Sequence, residues 1–204
     1  MALAEKISTI AAYIMQVFIA LFIIITAYTG DYLNSFGGGV ALIITFVPLF
    51  MKRKWHITLP WSLNFLIVLS LYMHILGQFG IYHLYPGYDK ISHFMGSVTV
   101  SLLGFSSVVI MDRFSKIKPD KKQILFFIII FTLAIGALWE IGEFSLDKIM
   151  KTNAQHGLDD TMFDLIADML GAMFIAGIIA VKFETMQKSL VSKIYYSIKR
   201  NLRK

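Results

Sequence analysis

The sequence predicts an all-α integral membrane bundle of about six transmembrane helices with both termini in the cytoplasm, and three observations carry that reading. Hydrophobic residues make up 57% of the 204 and charged residues only 16%, with a mean hydropathy of +0.68, outside the range of ordinary soluble domains. The apolar residues come in blocks of about twenty, the length that crosses a hydrocarbon core of roughly 30 Å at about 1.5 Å per residue. The third observation is the placement of lysine and arginine, which accumulate in cytoplasmic loops.

The blocks parse into spans at about 7–29, 34–51, 61–83, 90–112, 123–146 and 161–183. The first follows Lys6 and is too long for a signal-peptide core, with no small-residue cleavage site, so it reads as a retained span. The second, "FGGGVALIITFVPLF", departs most from the pattern, being short and carrying three glycines and Pro48. In this parse 16 of the 19 basic residues fall on one side, and only Lys90, Lys148 and Lys151 fall on the other. The net charge of +6 is thus an orientation signal rather than a nucleic-acid footprint, and a plasma-membrane protein is expected.

Residues 1–187 read as the transmembrane domain and 188–204 as a basic tail. Leu190, Val191, Ile194, Tyr195, Ile198 and Leu202 form an apolar stripe flanked by Lys193, Lys199, Arg200, Arg203 and Lys204. This pattern suits an interfacial helix on the anionic inner leaflet, or a basic terminus that serves orientation alone. With no cysteine there is no disulfide framework, thiolate metal site or cysteine nucleophile. Membrane lipids are the expected partners, and oligomeric state stays open.

Nine of the thirteen acidic residues then lie at or near the outer side. "YDKISHF" opens span four with Asp89 and His93 one turn apart, and "ALWEIGEFSLD" ends span five with Glu140 and Glu143 on one face and Asp147 a turn later. Span six re-enters with Asp160, Asp164 and Asp168 at i, i+4 and i+8, reaching about 12 Å inward. A carboxylate at the centre of a membrane helix costs about 2.5 to 3.5 kcal/mol on insertion scales unless it meets a cavity, partner or cation. These acids should therefore face the bundle interior. Converging carboxylates with an imidazole suit a divalent cation such as Mg²⁺, Mn²⁺, Ca²⁺ or Zn²⁺. The ligand set expected is His93, Glu140, Glu143 and Asp164, with Asp89, Asp160 and Asp168 as further candidates; His74, Gln78, His83 and His156 stand near enough in the outer half to contribute. Plainer roles compete: Asp89 and either Asp159 or Asp160 stand where helix N-caps belong, and the interior acids could pair with Lys90. No organic cofactor is indicated, since no Walker loop, Rossmann fingerprint or nucleophilic triad is visible.

Three stretches, "YDKISHFMGS" at 88–97, "ALWEIGEFS" at 137–145 and "QHGLDDTMFDLIADMLGA" at 155–172, together resemble the YjdF-like inner membrane proteins of bacteria and archaea. The matching positions are Asp89 and His93, then Trp139, Glu140 and Glu143, then Asp160, Thr161, Asp164, Gly171 and Ala172. A more distant similarity is to VanZ-like membrane proteins. Asp168 stands where the YjdF-like pattern has an uncharged residue, so the resemblance extends no site role to it. The resemblance implies a multi-pass protein with a polar site and names no reaction. Three functions stay open. One is a metal-dependent hydrolase acting on a lipid or phosphate headgroup. The second is a cation or proton transporter, which needs polar residues such as Asn64, Ser70, Thr99 and Ser101 to continue the path inward. The third is a non-catalytic lipid- or partner-binding protein.

Overall fold

The computed structural model describes residues 3–54, 57–85, 87–114 and 118–201, and among them it is all-helical. The helices are α1 (Leu3–Tyr28), α2 (Tyr32–Lys54), α3 (Trp61–Leu76), a π turn at Gly77–Ile81, the short α4 (Tyr82–Leu84), α5 (Tyr88–Phe114), α6 (Lys121–Met150) and α7 (Leu158–Asn201). Six segments are long and apolar enough to cross a membrane, with α3, the π turn and α4 counting as one. The chain divides into two compact units, residues 1–88 with 188–204, and residues 89–187.

In the first unit α1 packs on α2 and α3 around Ile19, Phe22, Ala41 and Ile75. The glycine-rich start of span two is a regular helix, longer at both ends than its composition suggests. Gly38 explains part of this, because a Cβ there would come within 2.9 Å of Ile23 and 3.1 Å of Phe22; its absence lets α2 approach α1. In lipid, moreover, the helix is the state that satisfies every backbone group, which offsets the usual cost of glycine. Gln16 Nε2 donates to Thr45 Oγ1 at 3.0 Å across the same pair. Span three is interrupted where hydropathy gave no sign of it. Gly80 takes φ 124°, and the ring of Tyr82 packs where a Gly77 side chain would stand. His74 Nδ1 lies 3.1 Å from the Tyr82 hydroxyl, which makes it a bonded histidine of this unit.

The second unit is built from α5, α6 and α7 down to Gln187. Asp120 and Gln123 form a reciprocal capping box that starts α6. At its other end Lys151 turns left-handed, and Asp147 accepts from Thr152 Oγ1, Ala154 N and Gln155 N. Asp147 therefore organises the 151–155 loop. The backbone returns through His156 and Gly157, both at positive φ, into α7, which carries one break at Lys182. Asp89 and the pair Asp159 and Asp160 are in the first turns of α5 and α7 rather than at their N-caps. Each helix begins at least two residues earlier than an N-cap at Asp89 or Asp159 implies, after Gly87 and Gly157. The acids still favour the positive helix ends from there.

Every fourth residue on the three helices follows one rule. On α5 the series is Asp89, His93, Ser97, Ser101, Phe105, Val109; on α6 it is Glu140, Gly136, Thr132, Ile128, Ile124; on α7 it is Asp160, Asp164, Asp168, Ala172, Ala176. Each series passes from charged to small or hydroxylated to apolar. Ser101 and Thr132 meet at 2.9 Å, and Phe105 and Ile128, one turn further on, have no exposed surface. Gly171 sets the spacing of α5 and α7, since a Cβ there would lie 2.7 Å from the Phe94 carbonyl oxygen; Gly177 has open space and plays no such part. The tail side chains Val191, Lys193, Ile194, Tyr195, Ile198, Lys199 and Arg200, and residues Leu202, Arg203 and Lys204, lie outside the described residues, as does Ser115.

Candidate metal centre

The charged ends of these three series converge in the second unit. The Lys90 ammonium lies 3.1 Å from Asp89 Oδ2 and 2.9 and 3.0 Å from the two oxygens of Asp164, and it also pairs with Asp160. One turn deeper, His93 Nε2 faces three carboxylates: Glu140 Oε1 at 3.7 Å, Asp164 Oδ1 at 3.8 Å and Asp89 Oδ1 at 4.0 Å. Its Nδ1 faces Asp168 Oδ1 at 3.3 Å, and Ser97 Oγ donates to that same oxygen at 2.7 Å. A side chain at Gly136 would overlap Asp168 Oδ2, so the bare α6 backbone there is what admits this carboxylate.

Exposure falls steeply along α7, from 23% at the Asp160 side chain to 1% at Asp164 and 4% at Asp168. Glu140 is 4% exposed, and neither of its carboxyl oxygens meets hydrogen-bond geometry, although Thr161 is the neighbour placed to donate. Asp168 Oδ2 and Thr161 Oγ1 are likewise buried without a hydrogen bond. Leaving such an atom without a partner costs about 1 to 3 kcal/mol, more when charged, so these groups need a partner: the neighbouring Thr161 hydroxyl, a retained proton, a water or an ion. Five carboxyls, those of Asp89, Glu140, Asp160, Asp164 and Asp168, share the site with one lysine and one histidine. That excess of negative charge favours a further cation or retained protons.

Asp89, His93 and Asp164 each offer an atom such that all three lie within 4.8 Å of one another, so the group could hold a metal ion. Oxygen-rich sets with one imidazole suit hard or borderline divalent ions. Of the residues expected from sequence, the structure gathers His93, Glu140, Asp164, Asp89 and Asp168 around one imidazole. Asp168, to which the family resemblance gave no role, is among its most enclosed members. Glu143 does not join them; it is half-buried and accepts from Trp139 Nε1 at 2.9 Å, because residues 139 and 143 share one line of α6 while 140 lies on the next. Asp160 is committed to Lys90, and His156 Nδ1 stands 3.5 Å from it on the loop side. His83 is exposed and His74 is bonded to Tyr82 in the first unit. Ser97 and Gly136 were not anticipated as site residues, and the signal available was their four-residue spacing from His93 and Glu140; Thr161, three residues before Asp164, was named only as a motif position.

Fold and site together define a multi-pass helical membrane protein with an acidic and histidine cluster enclosed by three of its helices. The family described as "Predicted membrane protein (DUF2238)" matches residues 10–185, and the chain belongs to that family. An uncharacterized protein of Thermotoga maritima is 35% identical over 137 residues, covering 66% of this chain and 70% of that protein. No solved structure matches the chain.

Proposed function

We propose that this protein holds a divalent cation in the outer half of the plasma membrane through Asp89, His93 and Asp164, with Glu140 as a further ligand, and presents it to a phosphate-bearing headgroup. The observation that carries this reading is Glu140, a carboxylate 4% exposed, with no hydrogen bond on either oxygen and an imidazole nitrogen 3.7 Å away. A cation there would satisfy those oxygens and offset the excess of carboxyls; its chemistry would be to polarise a phosphoryl oxygen or activate water. The YjdF-like motif positions Asp89, His93, Glu140 and Asp164 support the same assignment. Transport across the membrane is less well supported, because the polar series end at Phe105 and Ile128, and Ser70 and Thr99 donate to carbonyls of their own helices.

Protein equilibrated with millimolar Mn²⁺ is expected to bind one divalent ion per chain, located by anomalous scattering beside His93. Protein free of metal that also melts identically in chelator and in millimolar Mg²⁺, Mn²⁺, Ca²⁺ or Zn²⁺ would refute the assignment. Orientation has its own check in this cysteine-free chain. A cysteine at Asn153 is expected to react with an impermeant thiol reagent in intact cells, and one at Ser115 only after permeabilisation. The reverse pattern would put the cluster on the cytoplasmic side. We also assign the 188–204 segment to the anionic inner leaflet, on its basic and apolar patterning.

A further inference from the structure

We propose that Lys90 is the resident cation of this site and that a divalent ion enters by exchange, displacing the Lys90 ammonium outward; the inference rests on the cation-binding reading above. Its basis is one shared atom. Asp164 Oδ1 lies 2.9 Å from Lys90 Nζ and 3.8 Å from His93 Nε2; the ammonium's hydrogen bond goes to Oδ2, so Oδ1 is in ion-pair contact with Lys90, has no hydrogen bond of its own, and is the oxygen through which Asp164 would join His93 on a metal. Asp89 is divided in the same way, with Oδ2 on Lys90 at 3.1 Å and Oδ1 toward His93 at 4.0 Å. A metal bonded to Asp164 Oδ1 at about 2.0 to 2.6 Å would stand beside an ammonium already in contact with that oxygen. Two cations on one enclosed carboxylate repel strongly, because screening by water is weak there.

The side chains differ in their freedom to move. Glu140 and Asp164 are enclosed, and their helices hold them in place. Lys90 is 26% exposed in the first turn of α5, and its other partners, Asp89 and Asp160, are 24% and 23% exposed. Its flexible four-carbon stem can carry the charge toward water or headgroups while its methylenes stay packed. Asp160 would remain a partner for the displaced ammonium. Lys90 thereby weakens the site for every divalent ion, and only an ion that outcompetes a tethered ammonium occupies it.

The test is Mn²⁺ titration of the full-length protein in lipid nanodiscs, read by electron paramagnetic resonance, for wild type, Lys90→Gln and Lys90→Arg. Lys90→Gln is expected to bind Mn²⁺ at least tenfold more tightly than wild type, and Lys90→Arg, which keeps the charge, no more tightly. Wild type that binds Mn²⁺ while Lys90→Gln binds equally or more weakly overturns exchange and leaves the cation site standing. Binding in Lys90→Gln with none in wild type supports Lys90 as the resident cation and removes the proposed function of the native protein. Absence of binding in both, with each variant melting cooperatively, removes both ideas. Should Lys90→Gln not fold, amine acylation of wild-type Lys90 decides by mass spectrometry. A rise in modification on adding Mn²⁺ supports displacement, and unchanged modification in Mn²⁺-loaded protein overturns it.

Discussion

Asp164→Asn is expected to abolish the stabilisation that divalent cations confer on the wild-type protein. An ion present at about a hundred times its dissociation constant stabilises the folded state by about 2.7 kcal/mol, since it binds the assembled site and not the unfolded chain. Asp164 is the central ligand of the proposed set: its side chain is 1% exposed, and its Oδ1 lies within 3.8 Å of His93. The amide keeps the shape but removes a charged oxygen, so the melting temperature in millimolar Mn²⁺ should match that in chelator. If the cluster is instead a fixed polar network neutralised by Lys90 and His93, wild type should show no cation dependence. The amide should then be tolerated or mildly stabilising, as relief of crowded charge predicts. One pair of melting curves, wild type and variant with and without Mn²⁺, separates the two.

Gly136→Ala should be far more damaging than Gly142→Ala on the same helix. The added methyl would take the space of Asp168 Oδ2, and moving the carboxyl group aside strains the contacts its Oδ1 makes to Ser97 and His93. Overpacking typically costs about 1 to 3 kcal/mol, and a hydrogen bond to a charged group contributes about 1.5 to 3 kcal/mol. A loss of roughly 3 kcal/mol in unfolding free energy is therefore expected. Gly142→Ala is the control on the same helix, because no atom lies within 4 Å of its added carbon. Equal melting temperatures for the two variants would show that Asp168 does not depend on the bare backbone at 136.

Both predictions use parts of the molecule that differ in how far sequence alone reveals them. The spans were legible because hydropathy is a property of one segment and the bilayer thickness sets its length. The convergence of Asp89, His93 and Asp164 was legible for a related reason: one turn of spacing fixes which residues share a line on each helix, and acids at membrane depth must face inward. The rotation of one helix against another is set by packing, and no single segment encodes it. Glu143 illustrates the limit, since three residues from Glu140 was near enough to suggest a common face, yet Trp139 holds it along another line. Lys90 shows both sides of this: pairing of the interior acids with it was open from sequence and the structure has it at Asp164, 74 residues away, but that the same ammonium also bridges Asp89 and Asp160 depends on how α5 and α7 pack. The π turn at Gly77–Ile81 left no trace in hydropathy because it changes backbone pairing and leaves the apolar character intact.

The descent of the acids along α7 also has an electrical meaning. From Asp160 to Asp168 the ladder runs eight residues, about 12 Å of a hydrocarbon core of roughly 30 Å. In the outward-facing orientation proposed above, an ion held at Asp164, four residues and about 6 Å down the ladder, has crossed about one-fifth of the transmembrane voltage. For a divalent ion that amounts to about 0.9 kcal/mol per 100 mV, close to a fivefold change in affinity. An energised, inside-negative cell would draw the ion in and a depolarised one would release it, so occupancy would follow the energetic state of the membrane without a dedicated voltage-sensing helix.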